Sequence, residues 1–237
     1  MRPAGAPGVP SALFGGHSRP GPPSFASPPG RHEREARALL GPDFAGVACS
    51  DRWWAYDYLD PGQRQVCWAH LVRDFTAHSE GLDAQREFGE AGLALAGRLF
   101  AAWDDYRTDG DRGRLVARMA PVKAELKALL EAAACKSPRN RRHRIFAKNL
   151  LKLWPALWTF VSVPGVEPTN NHAERGLRGA VILRKLSLGT QSESGERTIE
   201  RLLSASVTCR LQGRSLFAYL SEVMDADIRC GPIPSLI

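Results

Sequence analysis

Two carboxylates stand out by the company they keep. Asp51 closes "GVACSD", whose Val47, Ala48 and Cys49 form a short apolar run, the pattern of a buried strand ending at the acid. Glu174 is the one acid in "TNNHAERGLRGAVILRK", residues 169–185, a stretch otherwise amide-rich, basic and apolar. Carboxylates drawn from distant parts of a chain are how a two-metal centre is made. Two Mg2+ ions need several hard oxygen ligands, and together they clamp the attacking and leaving oxygens of a phosphoryl transfer. Arg175 and Arg178, then Arg184 and Lys185, follow Glu174 in successive helical turns and would lie beside a phosphate backbone. A second reading needs no metal. Asn170 or Asn171 is a good N-cap, and Asn171-x-x-Glu174 has capping-box spacing, which puts the carboxylate at the positive end of a helix dipole. Residue types and spacing leave both readings open.

The formal charge of +7 is unevenly placed. "KSPRNRRHRIFAKNLLK", residues 136–152, holds seven Lys and Arg and no acid, so the rest of the chain sums to zero. Arg139, Arg141, Arg142 and Arg144 lead this patch. It suits either a nucleic-acid backbone, several of whose phosphates it would neutralise together, or a solvated helix face. The five cysteines are scattered, odd in number and without a C-x-x-C pair, which argues for free thiols in a reducing cytoplasm rather than a disulfide framework. Cys67-Trp-Ala-His70 lacks the second ligand pair that structural zinc needs. In the same block His70 and Arg73 are accessory candidates for phosphate contact or for orienting an acid; the alternative is a histidine packed under Trp68 and paired with Asp74 one turn on.

The elements that must position these residues follow from the hydrophobic pattern. At 237 residues the chain can hold one well-buried core plus a tail. It contains no run of eighteen apolar residues and no apolar leader, so neither a membrane span nor a secretory signal is expected. Residues 1–30 are so rich in proline and glycine that disorder is expected. "RHEREARALL" reads as a short helix stopped by Gly41-Pro42. After the strand at 47–49, "RWWAYDYL" reads as a helical turn, Gln65–Trp68 as a second strand, and a helix follows from about Ala69: an α/β pattern. From 82 to 160 apolar residues recur at helical spacing. They are Phe88, Leu95, Leu99, Phe100 and Trp103, then Leu115, Met119, Val122, Leu126 and Leu129, then Phe146, Leu150, Leu153, Trp154, Leu157 and Trp158. These stripes predict the core of three or more packed helices. "VPGVEPTNN" breaks the pattern, and the chain ends in two helices split at Gly213.

"SDRWWAYDYL…RQVCWAHLVRDF" and "LWTFVSVPGVEPTNNHAERGLRGAVILRKLSLGTQSESGERTIERLL…TCRLQGRSLFAYL" together resemble the catalytic region of the insertion-sequence-66 family of bacterial transposases, from about Arg31 to Met224. The resemblance implies a ribonuclease-H-like α/β fold, mostly helical because of a large all-helical insertion, with an aspartate–aspartate–glutamate triad holding Mg2+ or Mn2+. Asp51 matches the second aspartate and Glu174 the glutamate, which shifts Glu174 from cap toward metal ligand. The implied division is a tail (1–30), a partial ribonuclease-H-like segment (31–80), the insertion (81–165), the glutamate helix with C-terminal helices (166–226) and an end piece (227–237). His172, Gly176 and Gly179 depart from the family's usual small residue, alanine and proline. The larger departure is upstream: only Asp43 precedes Asp51, in a loop behind the Pro/Gly-rich tail. The fold's opening strands and first aspartate are therefore expected to be missing, leaving an N-terminally truncated DNA transposase without independent catalysis. A non-catalytic DNA-binding module and a pseudogene remnant are the alternatives. DNA is the expected partner, with full-length transposase or a second copy of the chain beside it, no membrane, and a cytoplasmic, nucleoid-associated location.

Overall fold

The computed structural model describes residues 13–15 by their backbone and residues 32–135, 141–171 and 192–236 more fully. The chain divides into two compact units, one of residues 12–17 and 44–171, the other of 1–11, 18–43 and 172–237.

The first unit is built on a small sheet ordered β1-β2-β3: Leu13–Gly15, Val47–Ser50 and Arg64–Val66. β2 and β3 run parallel, with Ala48 opposite Arg64, Cys49 opposite Gln65 and Ser50 opposite Val66. Their C-terminal ends therefore lie side by side. Two short 3-10 turns, Trp54–Tyr56 and Pro61–Gln63, carry the chain from one to the other. β1 pairs antiparallel with β2, so three residues of the tail join the sheet where composition predicts disorder. They fall in the tail's longest proline-free run, between Pro10 and Pro20, where each backbone N–H remains able to donate.

Beyond the sheet the unit is helical, with α2 (Trp68–Ser79), α3 (Ala84–Asp109), α4 (Arg112–Ala134) and α5 (Arg141–Lys152) each packed on the one before. A 3-10 turn (Trp154–Leu157) and a single helical turn, α6 (Thr159–Ser162), complete it. The residues picked out by helical spacing fill one apolar cluster: Phe88, Leu95, Leu99 and Trp103 from α3; Leu115, Met119, Val122 and Leu126 from α4; Phe146 and Leu150 from α5. Leu130, not Leu129, is the fully buried leucine at the end of α4. At the centre Phe75 meets Phe146 edge-on, centroids 5.3 Å apart, and Phe88 at 5.7 Å. That approach of α2 to α3 depends on two glycines. A Cβ on Gly92 would stand 2.1 Å from the Phe75 ring, and one on Gly89 2.2 Å from the backbone nitrogen of Ser79.

Among its described residues the second unit consists of α1 (Glu33–Leu40), α7 (Glu193–Leu211) and α8 (Leu216–Ile228). His32 and Glu35 form a capping box at the start of α1, and Gly41 ends it at φ +80°. Gly213 ends α7 at φ +67°; the Arg214 N–H reaches back 2.8 Å to the Cys209 carbonyl, and Ser215 caps α8. Both breaks fall where glycine predicts them.

Candidate active site

Asp51 leaves the C-terminal end of β2, and its Oδ1 accepts the Trp53 N–H at 3.0 Å. Its other carboxylate oxygen takes no hydrogen bond from a described residue. The loop that follows is clamped from inside. Arg64, only 2% exposed, donates to Ser50 Oγ (3.2 Å), Asp57 Oδ1 (2.7 Å) and the carbonyls of Asp51 (3.1 Å) and Trp53 (3.0 Å). A buried guanidinium is tolerable only when its donors are met, and meeting them fixes the backbone on either side of Asp51. Asp57 also pairs with Lys152 at 2.6 Å. Burial works to raise the Asp57 carboxyl, but the hydrogen bonds from Lys152 and Arg64 outweigh it and hold the group below its usual range. Burial, then the charge of Asp51, pushes the Tyr56 phenol up to about 12, and the buried hydroxyl finds no partner among the described residues. On the other flank Arg52 grips Asp74 Oδ2 through two donors (3.0 and 2.7 Å) and Asn149 Oδ1 (3.0 Å), with its guanidinium 4.7 Å over the Phe146 ring.

Cys67 links this strand end to a distant part of the chain. Its N–H donates to the Ser50 carbonyl at 2.8 Å, beside Asp51. Its fully buried Sγ lies 2.9 Å from Asn170 Oδ1 and 3.4 Å from the Asn170 N–H, 103 residues away in sequence. The next N–H, of Trp68, donates to the Pro168 carbonyl at 2.9 Å, and the Trp68 indole donates to the Leu157 carbonyl at 2.9 Å. Hydrogen bonding from Cys49 outweighs the opposing effect of burial and, with His70 and the Asn170 N–H, brings the Cys67 thiol down to about 4. A thiolate would face the amide oxygen unless the Asn170 side chain turned over. In that orientation Nδ2, buried with no partner among the described residues, would donate to sulfur.

The structure thus brings Asn170, Cys67, His70 and the end of β2 together. Asn171 is helical and Asn170 is not, in keeping with Asn170 as the N-cap of the two offered; the capping box expected of Asn171 and Glu174 involves Glu174, which lies outside the described residues. Asp74, weighed as a partner for His70, is held by Arg52; the His70 imidazole is at the Cys67 thiol. Arg73 is exposed on α2, and Arg141 and Arg142 are exposed and Arg144 half-exposed on α5. Glu174, Arg175, Arg178, Arg184, Lys185 and Arg139 lie outside the described residues. Spacing alone did not single out Arg64, Arg52, Tyr56 or Cys67 as organisers of the site. For Arg64 a signal existed, a charged residue opening a strand whose other positions are apolar or amide.

Among the described residues no group of three or more His, Cys, Asp and Glu side chains could hold a metal ion. Asp51 fits as one hard oxygen ligand of a divalent ion, through the carboxylate oxygen that no described residue engages; a second must come from elsewhere. No described helix is long and apolar enough to cross a membrane.

Comparison with known proteins gives these residues a context. Two uncharacterized proteins of Sinorhizobium fredii are similar to this chain. One, y4qI, is 25% identical over 209 residues, which is 80% of this chain and 37% of its own length. The other, y4jD, is 26% identical over 214 residues, 82% of this chain and 40% of its own. The chain therefore spans about two fifths of the length of these relatives. No solved structure matches it. The sequence pattern of the Transposase IS66 family matches residues 20–198, a span that takes in Asp51, the Cys67–Asn170 contact and Glu174. The chain belongs to the Transposase IS66 family.

Proposed function

We propose that this chain is the portion of a DNA transposase that carries Asp51 and Glu174 as two of three carboxylates of a ribonuclease-H-like site, and that it does not turn over alone. The observation that supports the reading is the Cys67–Asn170 contact, which ties a residue shortly before Glu174 in sequence to the strand end that Asp51 follows. Bound there, Mg2+ or Mn2+ would supply Lewis-acid activation of water, and then of a 3′-hydroxyl, for attack on a phosphodiester. The chain's own residues prepare that site. Arg64 fixes the backbone around Asp51, the Trp53 N–H orients one carboxylate oxygen, and Cys67 anchors Asn170. Arg175, Arg178, Arg184 and Lys185, with Asn170 and Asn171, are read as contacts to DNA, and His70 and Arg73 as accessory groups. Only two carboxylates are in hand, and two rarely hold both ions of such a centre. The third would come from the family's opening strands, and the working partners would be DNA and full-length transposase or a second copy, in the cytoplasm on the nucleoid.

Mn2+ binding, followed by electron paramagnetic resonance of the free ion, tests the site directly. Asp51→Ala and Glu174→Ala should each weaken it; two variants that bind Mn2+ as well as wild type would remove the site.

A second reading, a DNA-binding module without chemistry, is favoured by one feature of α5. Among the described residues no acid pairs with Arg141, Arg142, Arg144 or Lys148, so these charges are available to phosphates. On that reading DNA binding falls steeply with salt and is indifferent to Mg2+.

A further inference from the structure

We propose that the recess between the Pro61–Gly62 turn, α4 and the Trp154–Leu157 turn takes an unpaired nucleotide, its base stacked on Trp154 and its phosphate at Lys123. The proposal rests on the reading of DNA as this chain's ligand and adds a place where a single base leaves its stack. The recess is open to solvent, with a volume of about 370 Å3, and Trp154, Pro155, Trp158, Pro61 and Lys123 are among the residues that line it. The two indoles stand 5.4 Å apart at 66°, making a corner of two flat faces. Trp158 is buried at 5% exposure, whereas Trp154 is half-exposed and presents surface to an incoming ring.

Lys123 supplies the charge. Its Nζ lies 5.2 Å over the Trp158 ring, and among the described residues no carboxylate pairs with it. Burial lowers its basicity, as expected of an ammonium withdrawn from water without an anion to meet it. A phosphate would provide that anion. The hydroxyls in the wall are already engaged: Thr159 Oγ1 donates to the Arg64 carbonyl at 2.6 Å and Ser162 Oγ to the Thr159 carbonyl at 3.2 Å. Their protons are committed, and the contact offered by Trp154 is a stacking face, which every base can use, so the recess should tolerate different bases.

On the α5 side the neighbouring surface is basic, while the exposed carboxylate of Asp60 caps the Pro61–Gly62 turn on another side. The cations of α5 that no described acid pairs run along a helix about 18 Å long that ends at Lys152, two residues before Trp154, and α5 packs against that turn. A row of cations tracking a backbone and leading to an aromatic platform is how sequence-tolerant single-strand sites are built.

The test uses the full chain, a fluorescent oligothymidylate and a fluorescent duplex of equal length, with anisotropy read at one salt concentration. Trp154→Ala should weaken oligothymidylate binding about 5- to 100-fold and leave duplex binding within about twofold. Trp154→Phe should restore most of the loss. Oligodeoxyadenylate and oligodeoxycytidylate should behave like oligothymidylate. Lys123→Gln should weaken single-strand binding and reduce its salt dependence by about one counterion. Equal loss on both DNAs, or no loss on either, would overturn the site, as would protection of Trp154 by a proline-rich peptide and not by oligothymidylate. Absence of binding to both DNAs overturns the DNA reading and this site with it; duplex binding with an indifferent Trp154→Ala overturns this site alone.

Discussion

Gly92→Ala tests the packing argument most sharply, because helix propensity and packing pull in opposite directions. In an open helix interior the change stabilises by about 1 kcal/mol. Here the added Cβ would stand 2.1, 2.3 and 2.6 Å from three carbons of the Phe75 ring, against the roughly 3.5–4.0 Å of an ordinary carbon contact. Either α3 backs away by more than an ångström or the ring moves. The ring has nowhere to go: Phe75 is fully buried and held between Phe88 and Phe146. Overpacking of this kind costs about 1–3 kcal/mol, and loosening the two ring contacts adds about 0.5–1.5 kcal/mol each. After the propensity gain, a net loss of about 1–5 kcal/mol is expected. Gly97, on the same helix, is the control, since a Cβ there meets nothing within 4 Å; Gly97→Ala should gain about 1 kcal/mol. Urea unfolding of the two variants should move in opposite directions, and Phe75→Leu should rescue part of the Gly92→Ala loss while destabilising the parent. A Gly92→Ala variant as stable as Gly97→Ala would refute the reasoning.

Three further outcomes follow from the site. The Cys67 thiol is lowered from 9.0 to about 4, so between those values the folded chain binds fewer protons than the unfolded one. Its contribution to stability is full above pH 9, and it is lost as pH falls through 4. The urea midpoint should therefore climb more steeply from pH 5 to 8 in the parent than in Cys67→Ser, and parallel slopes would rule the thiolate out. Arg52→Ala strands Asp74 and Asn149 and should cost about 2–3 kcal/mol, with no rescue by lysine, whose single ammonium cannot reproduce the fork. Replacing Arg141, Arg142 and Arg144 by glutamine should reduce the slope of log affinity against log salt by roughly 0.9 for each phosphate that is no longer neutralised; an unchanged slope retires the patch.

What the sequence disclosed was periodic or local. The apolar run before Asp51 marked β2, the stripes through 82–160 marked the faces of α3, α4 and α5, and Gly41 and Gly213 marked helix ends. The misses share a cause. Leu129 and Leu130 differ by one helical step, and only the neighbouring helices decide which turns inward. Gly89 and Gly92 carry no local mark of their packing role, because the ring that Gly92 admits sits on another helix. The sequence offers Asn170 with Asn171 as a cap, but not as a partner of Cys67, a pairing across 103 residues that no local pattern announces. Arg64 is unusual in a strand, yet its four acceptors are assembled only when the loop closes over it. The ribonuclease-H-like reading and the role of Glu174 came from resemblance to a family, not from periodicity.

The hydrogen bond from the Trp68 N–H to the Pro168 carbonyl bears on how such chains can diverge. The helical section departs from the sheet and returns to it within one bond of its starting point, so it is attached like a cassette, by adjacent ends. The entropy of closing such a loop rises only logarithmically, about 0.6 kcal/mol for each doubling in length. α3 and α4 could therefore grow or shrink together by whole turns, moving the far tip while Asp51 and Asn170 stay in register. Most of their contacts are between consecutive helices, which favours early formation of this hairpin. Length variation among relatives should collect at the far end of this hairpin, around Gly110, and spare the two residues that close it.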